Sequence, residues 1–386
     1  MWEKPTLTSV KHEQRVLHRR AAWKEKSECA LENAWADGKK TLQKIGLDAG
    51  VDISYLPQRV SPGGKQTAVQ GVYYPYLTWN LFQDKALGSG QLNVNYTFVR
   101  YWGSPGAALQ ARAGQAVAFN DYSTNQEFCS QFSYTHTLPG KLNWLSFTVG
   151  QFPLYNFDGT NYLDNQQTAL LNFALSQNAT SVYSSSSLGA YAQAQSKNWT
   201  FAAGYQDAAN ITGQTIQTDT AFDGKYTGFA SVSYAPQFKI GAGQYSVLYY
   251  YQPSTKAQPG NSNGWSFNMQ QNFGEKWVLF GRANGSAGNI SGVKNSYVLG
   301  GGWLNPLARN DNDALLLGVA YNRLSQAGQG NPPFMRAAET AVEVAWVWGI
   351  GKLVTLTPDV QFYPRASLNE DKKFVTVVGI RTTVML

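Results

Sequence analysis

The sequence predicts an all-β protein, a 16-stranded antiparallel transmembrane β-barrel with an N-terminal helical extension. Three observations predict it. From residue 46 onward apolar and polar side chains alternate with a period of two, which gives a strand two unlike faces. The links between these segments are by turns short and long, as in a barrel with brief turns at one mouth and loops at the other. The polarity comes from uncharged residues: charged side chains make up 14% of the chain, against about a quarter in soluble domains.

Residues 1–45 read differently. HEQRVLHRRAAWKEKSECALENAWADGKKTLQK is rich in Ala, Glu, Lys, Arg and Gln, all good helix formers. Val16, Trp23, Leu31, Trp35 and Leu42 recur at mixed spacings of 3, 4 and 7. One or two helices are expected, broken at Gly38. They form a solvated extension, with a plug or a periplasmic contact element as the alternative. The start, MWEKPTLTSVKHEQRVLHRR, lacks the apolar centre of a signal peptide.

The strands follow in order. GLDAGVDISYL (46–56) puts Leu47, Ala49, Val51, Ile53 and Tyr55 on one face and Asp48, Asp52 and Ser54 on the other. QLNVNYTFVRYW (91–102) alternates Leu92, Val94, Tyr96 and Phe98 with Asn93, Asn95 and Thr97. GWSFNMQQNF (264–273) sets Trp265, Phe267, Met269 and Phe273 against Ser266, Asn268, Gln270 and Asn272. AETAVEVAWVW (338–348) sets Val342, Val344, Trp346 and Trp348 against Glu339, Ala341 and Glu343. In all, sixteen segments qualify: 46–56, 69–82, 91–103, 126–138, 141–152, 187–195, 198–208, 224–236, 242–252, 264–273, 276–285, 295–304, 313–323, 337–349, 352–363 and 374–386. Most match the roughly 9–11 residues of a tilted spanning strand.

LPGK, SKN, FGEK and GIGK are tight turns, whereas 57–68, 104–125, 153–186, 209–223, 253–263, 286–294, 324–336 and 364–373 are long links. Lipid can cover the apolar face of such strands and a water-filled lumen the Asn/Thr face. Closure then satisfies every backbone N–H and C=O in the membrane. Aromatics near strand ends, as in YYPYLTW and WVW, would form the interfacial girdles. A soluble propeller would show a repeat of about 40 residues, and none is present. No run approaches the ~20 apolar residues of a spanning helix.

Formal net charge is +7. Residues 1–45 hold ten Lys/Arg and six Asp/Glu, giving +4, so the remaining 341 carry only +3. The body has no concentrated basic face of the kind that binds nucleic acid. Cys29 and Cys129 form no metal motif and are expected as free thiols, with pairing as the alternative. Of three histidines only His136 lies in the barrel. An outer-membrane enzyme would have to be built on it, near a strand end that suits catalysis poorly. Neither an enzymatic centre nor a cofactor is expected.

What remains is a lined channel, since sixteen strands leave an aqueous passage unless something narrows it. The 153–186 link, PLYNFDGTNYLDNQQTALLNFALSQNATSVYSSS, has the length and place of a constricting loop and carries Asp158, Asp164, Tyr155, Phe157 and Tyr162. Amides and carboxylates bind sugar hydroxyls, and aromatic faces stack on sugar rings. The alternative for this link is an ordinary loop at the barrel mouth. Face assignment adds Arg282, Glu339, Glu343, Asp359, Gln361 and Arg381 to the expected pore lining. Both signs in a weakly charged lumen suit a neutral polar solute. Arg100 falls in the apolar phase of its strand and marks either a bulge or the outer rim.

The chain resembles the carbohydrate-selective porin (OprB-like) family of bacterial outer membranes. The residues that carry the resemblance are AAETAVEVAWVWGIGKLVTLTPDVQFYPRA and FVTVVGIRTTVML, with TPDVQ (357–361) its sharpest element. WVLFGRANGSAG (277–288), LSFTVGQFPLYNFD (145–158) and KKTLQKIGLDAGVDISY (39–55) add to it. The resemblance implies a sixteen-stranded barrel without enzymatic activity, passing mono- and oligosaccharides through a lumen lined with Arg, Glu and aromatic residues. Outer-membrane lipid and small sugars are the expected partners, and a homotrimer is the expected assembly. A general porin and a polysaccharide export channel, the latter with residues 1–45 contacting a periplasmic partner, are the alternatives.

Overall fold

The computed structural model describes residues 30–61, 67–288, 291–325 and 336–386. His12, His18 and Cys29 lie outside them. The described chain opens with helix α1 (Ala30–Gln43) and continues into sixteen long strands. These are β1 (Leu47–Ser61), β2 (Thr67–Asp84), β3 (Gly88–Gly103) and β4 (Gln126–Thr137). β5 (Leu145–Phe152), β6 (Ser187–Ser196), β7 (Trp199–Asp207) and β8 (Tyr226–Tyr234) follow. Next come β9 (Gly241–Gln252), β10 (Ser262–Phe273), β11 (Trp277–Ser286) and β12 (Val293–Leu304). β13 (Ala314–Leu324), β14 (Ala338–Ile350), β15 (Val354–Tyr363) and β16 (Val375–Met385) complete the wall.

Each strand pairs antiparallel with its chain neighbours, and β16 returns to β1 in the register Asp52↔Met385 to Ser61↔Thr376. The sheet is therefore closed and has no free edge. Val51 and Leu386 exchange both backbone hydrogen bonds at 2.9 Å, so the last residue helps seal the seam. A two-residue pairing of Gln237–Phe238 with Gly241–Ala242 decorates the β8–β9 turn.

The period-two pattern dictates the two faces. On β3, Leu92 and Val94 stand opposite Tyr134 and Phe132 on the outer face, while Asn93 and Asn95 stand opposite Ser133 and Gln131 on the inner face. Thr78 donates to Asn93 across the inner side at 3.1 Å. Outward Leu299, Leu317 and Ile380 are half or more exposed, as lipid-facing residues must be. Trp277 and Trp303 stack at the turn end with 5.4 Å between ring centroids. The FGEK and GIGK turns place Gly274 and Gly351 at φ 61°, a conformation that only glycine adopts without strain.

Three features differ from the sequence expectation. Helix α1 runs unbroken through Gly38, whose cost of about 1 kcal/mol is tolerated in a helix tied down at both ends. Glu32 accepts from the Lys352 backbone N at 2.9 Å, and Lys39 donates to the Tyr76 hydroxyl at 3.2 Å. The first long link shortens, because β1 and β2 extend to Ser61 and Thr67. The inner wall is also not polar throughout. Phe280, Val298, Leu316, Ala320 and Ala341 face inward from β11–β14 and join a buried apolar cluster with Leu109, Val117 and Phe119 of the 104–125 link and Leu163, Leu170 and Leu175 of the 153–186 link. Two loops fold into the barrel and bring an apolar core inside it. This explains why β11 alternates poorly: its inward face is apolar at Val278 and Phe280 before it turns polar at Arg282 and Asn284.

Candidate pore constriction

The 153–186 loop enters the lumen and lies along the wall of β9–β16. It is held there by the charged wall residues. Glu343 accepts from the backbone N of Leu171 at 2.5 Å and of Asn172 at 2.8 Å. Arg381 donates to the carbonyls of Gln166 and, at 2.9 Å, Ala169. Thr383 donates to the Gln167 carbonyl at 3.0 Å. Arg282 donates to the Leu163 carbonyl and, through Nε at 2.6 Å, to Asn268. Asn268 in turn donates to Asp158 at 2.9 Å, and Asp158 also accepts from Asn178 and Tyr183. Charge-assisted bonds of this kind are about twice as strong as neutral ones, and they fix which peptide faces which strand.

Between its anchors the loop makes one helical turn, α3 (Phe173–Ser176). Asn172 caps it by accepting from Ala174 N at 3.0 Å and donates to the Tyr363 hydroxyl at 2.6 Å. Ala174 and Leu175 are fully buried against the wall. Phe173 and Gln177 border the open side. Gly318 on β13 makes room for this contact: a Cβ there would lie 2.5 Å from Leu170 Cδ1 and 3.1 Å from Leu175.

The 104–125 link forms the second half of the constriction. It begins with α2 (Gly106–Ala113), which ends at Gly114. Glu339 accepts from Ala116 N at 2.7 Å, Val117 N at 3.2 Å and the Ser367 hydroxyl at 2.5 Å. Gln361 donates to the Phe119 carbonyl at 2.9 Å. Asp121 ties the two loops together, accepting from the Ser176 hydroxyl and from Gln166 N and Gln177 Nε2. Burial pushes the Asp121 carboxyl up to about 7 against the opposing pull of those donors. The Tyr122 hydroxyl is hydrogen-bonded to the Tyr74 hydroxyl of β2.

The passage left open is eccentric. A cavity of about 730 Å³ lies on the β1–β4 side. Its wall is Asp48 and Asp52 of β1, Tyr74 and Tyr76 of β2, Asn93, Asn95 and Thr97 of β3, and Gln131 of β4. The loops contribute Asp121, Tyr122, Tyr155, Asn156, Asp164 and Phe173. Its lining residues include four carboxylates and no Lys or Arg, while Lys39 reaches its edge through Tyr76.

The structure thus places the eight sequence candidates in two groups. Asp164 borders the cavity. Arg282, Glu339, Glu343, Asp359, Gln361 and Arg381 all face the barrel interior but are at most 2% exposed beneath the loops, and Asp158 is buried within its loop. The expectation of a lumen lined by both signs is corrected in this respect: on the loop-covered wall Arg282, Glu339, Glu343 and Arg381 bind loop backbone, and Asp359 accepts from Gln361. Asp48 and Asp52 lie on the polar face of GLDAGVDISYL, but alternation alone does not distinguish them from other inward residues. Asp121 sits in a loop without periodicity, and no sequence signal marked it.

Arg100 lies at the outer rim, ion-paired with Glu127. His136 faces outward near the turn-side mouth, its Nδ1 3.1 Å from the Tyr134 hydroxyl. Cys129 is a buried free thiol.

A closed sixteen-stranded barrel narrowed by inward loops around a polar passage defines an outer-membrane porin. The family model for carbohydrate-selective porins of the OprB family matches residues 76–386. Porin AaxA of Chlamydia felis is 37% identical over 345 residues, covering 86% of this chain and 76% of that protein. Porin AaxA of Chlamydia pneumoniae is 34% identical over 357 residues, 90% of this chain and 80% of that one. The high-pH structure of Pseudomonas putida OprB superposes with a TM-score of 0.73 at 12% identity, covering 95% of this chain and all of that one. The chain belongs to the OprB family of carbohydrate-selective porins.

Proposed function

We propose that this porin lets small polar solutes, neutral sugars among them, diffuse passively through the eccentric lumen of a barrel set in the bacterial outer membrane. The lining of the 730 Å³ cavity carries this reading: amides, hydroxyls and carboxylates stand among Tyr74, Tyr76, Tyr122 and Tyr155. Hydroxyls of a solute find donors and acceptors there, and ring C–H faces find aromatic surfaces. The volume lies within the roughly 300–1,000 Å³ of pockets that hold small ligands. The family description supports the sugar class.

A second reading is favoured by one observation. Asp48, Asp52, Asp121 and Asp164 border the cavity without a basic residue in its lining, so a cationic solute would be drawn in and an anionic one repelled.

Single-channel recording in planar bilayers separates the readings. Saturable block of steady open steps by neutral sugars, unchanged by salt, supports the sugar reading. Block by small organic cations, weakening as salt rises, supports the cationic one. Steps without block by either reduce the protein to a general pore. An absence of steps from folded barrels would favour export through a plugged channel instead.

A further inference from the structure

The outer wall carries a vertical gradient on two neighbouring strands that passage through the lumen does not use. Outward along β13, from mid-wall toward the loop-side mouth, stand Leu317, Val319, Tyr321 and Arg323, all exposed. On β12 the same direction gives Leu299, Tyr297 and Lys294. The register sets Leu299 opposite Val319, Tyr297 opposite Tyr321 and Asn295 opposite Arg323. The ladder shifts between Val293 and Asn295, a bulge that leaves Lys294 exposed beside Arg323. Successive outward residues are about 7 Å apart along a strand. The surface therefore passes from apolar to aromatic to cationic over roughly 14 Å, in the order acyl chain, interface and headgroup of a lipid leaflet.

Charge placement elsewhere on the wall sharpens the point. The other outward charges near this mouth on the described strands are Arg59, Arg100 and Glu127. Arg100 is already engaged: its guanidinium lies 4.0 Å from the Phe98 ring centroid and pairs with Glu127. No ion pair among the described residues engages Lys294 or Arg323. Two cations on adjacent strands, above a tyrosine pair and a lipid-facing apolar wall, match an anionic headgroup. A guanidinium forks onto phosphate oxygens and an ammonium adds a point charge.

We infer that the loop-side end of β12–β13 docks a phosphate-bearing lipid of the outer leaflet. Lys294 and Arg323 hold its phosphate, and Tyr297 and Tyr321 pack beneath it. Each basic residue beside an anionic lipid is worth roughly a fivefold change in affinity, so the pair together is worth about 25-fold.

The test uses the full-length porin in nanodiscs doped with a diphosphorylated acylated disaccharide lipid or with its dephosphorylated form. Bound lipid is counted by native mass spectrometry after mild detergent release. The expected result is that wild type retains the phosphorylated lipid and the double variant Lys294→Ser/Arg323→Ser loses it by tenfold or more. Arg100→Ser, whose partner is Glu127, retains it within twofold. Millimolar inorganic phosphate leaves the lipid in place, and the dephosphorylated lipid binds weakly to all three. The inference is overturned by equal retention in the double variant, by equal loss in Arg100→Ser, by equal binding of the dephosphorylated lipid, or by displacement with free phosphate. Migration of unheated against heated samples in gels confirms that each variant is a folded barrel.

Discussion

Replacing Gly318 by valine tests how the constriction is built. Gly318 faces inward from β13, and the new Cβ would sit 2.5 Å from Leu170 Cδ1 and 3.1 Å from both Leu175 methyls. The strand itself accepts the change, since β-branched residues favour strands and glycine in a strand interior costs about 0.5–1 kcal/mol. The strain falls on the loop. Overpacking of this kind costs about 1–3 kcal/mol. Expelling the two fully buried leucines from the wall would forfeit about 1.5–3 kcal/mol each, and the anchors at Glu343 and Arg381 would still hold the chain. The cheaper response is a tilt of α3 away from β13. Its opposite side carries Phe173 and Gln177, which border the cavity, so the tilt pushes both into the passage. Single-channel conductance is expected to fall, with the barrel still folded by gel migration. Gly301→Val, on the outer face of β12, is the control and leaves conductance unchanged. Unchanged or higher conductance in Gly318→Val would refute the idea that Leu170 and Leu175 wedge the loop against this wall.

Other perturbations follow from the same geometry. Glu343→Ala strips Leu171 N and Asn172 N of their acceptor and removes one of the carboxylates acting on Arg381, leaving Asp359 and, more weakly, Asp121. Breaking such a buried set costs about 3–5 kcal/mol, and limited proteolysis should then cut within 153–186 while wild type resists. Because the Asp121 carboxyl is pushed up to about 7, it is charged above that pH and neutral below it. Cation preference, read as reversal potential in a salt gradient, should therefore decline as pH falls from 8 to 6, and Asp121→Asn should abolish that step. Phe280→Ala removes the parallel stack on Tyr162, whose centroid lies 5.6 Å away, and should lower unfolding stability by about 3–5 kcal/mol in urea titrations.

The architecture was legible because a barrel writes its two faces into every strand. QLNVNYTFVRYW gave both the side and the phase of each residue, and the structure keeps that phase through Phe98. Its one discordant member, Arg100, proved to be an outward residue at the rim, where a charge is tolerated. The inward phase of Glu339, Glu343, Asp359 and Arg381 could be read in the same way. Their role as loop anchors could not, because alternation reports the face of a residue and not what covers that face. The signal was present in LLLGVAY, where a glycine interrupts an apolar strand, and in Phe280 and Val298, which are apolar on a face expected to be wet. Those departures mark where the loops land. Asp121 lay beyond reach, since its place depends on a loop with no period and on a contact with Ser176 more than fifty residues away.

The two halves of the lumen therefore do different work with similar residues. Apolar contacts hold a loop against a wall but are non-directional, so on their own they permit sliding. The buried carboxylates and guanidiniums bind particular peptide groups of the loop, and an unmatched partner is costly, so they fix its register. That assignment consumes Arg282, Arg381, Glu339 and Glu343. What a passing solute meets is set by the opposite strands, where Asp48 and Asp52 of β1 line the same cavity as Asp121 and Asp164 of the loops. Selectivity and constriction are thereby separable at particular positions: substitutions at Asp48, Asp52, Asn93 and Asn95 should retune what passes, whereas substitutions at Gln58 and Gln70, which hold Asn120 and Gln166, and at the anchors of β13–β16 should move the loops first.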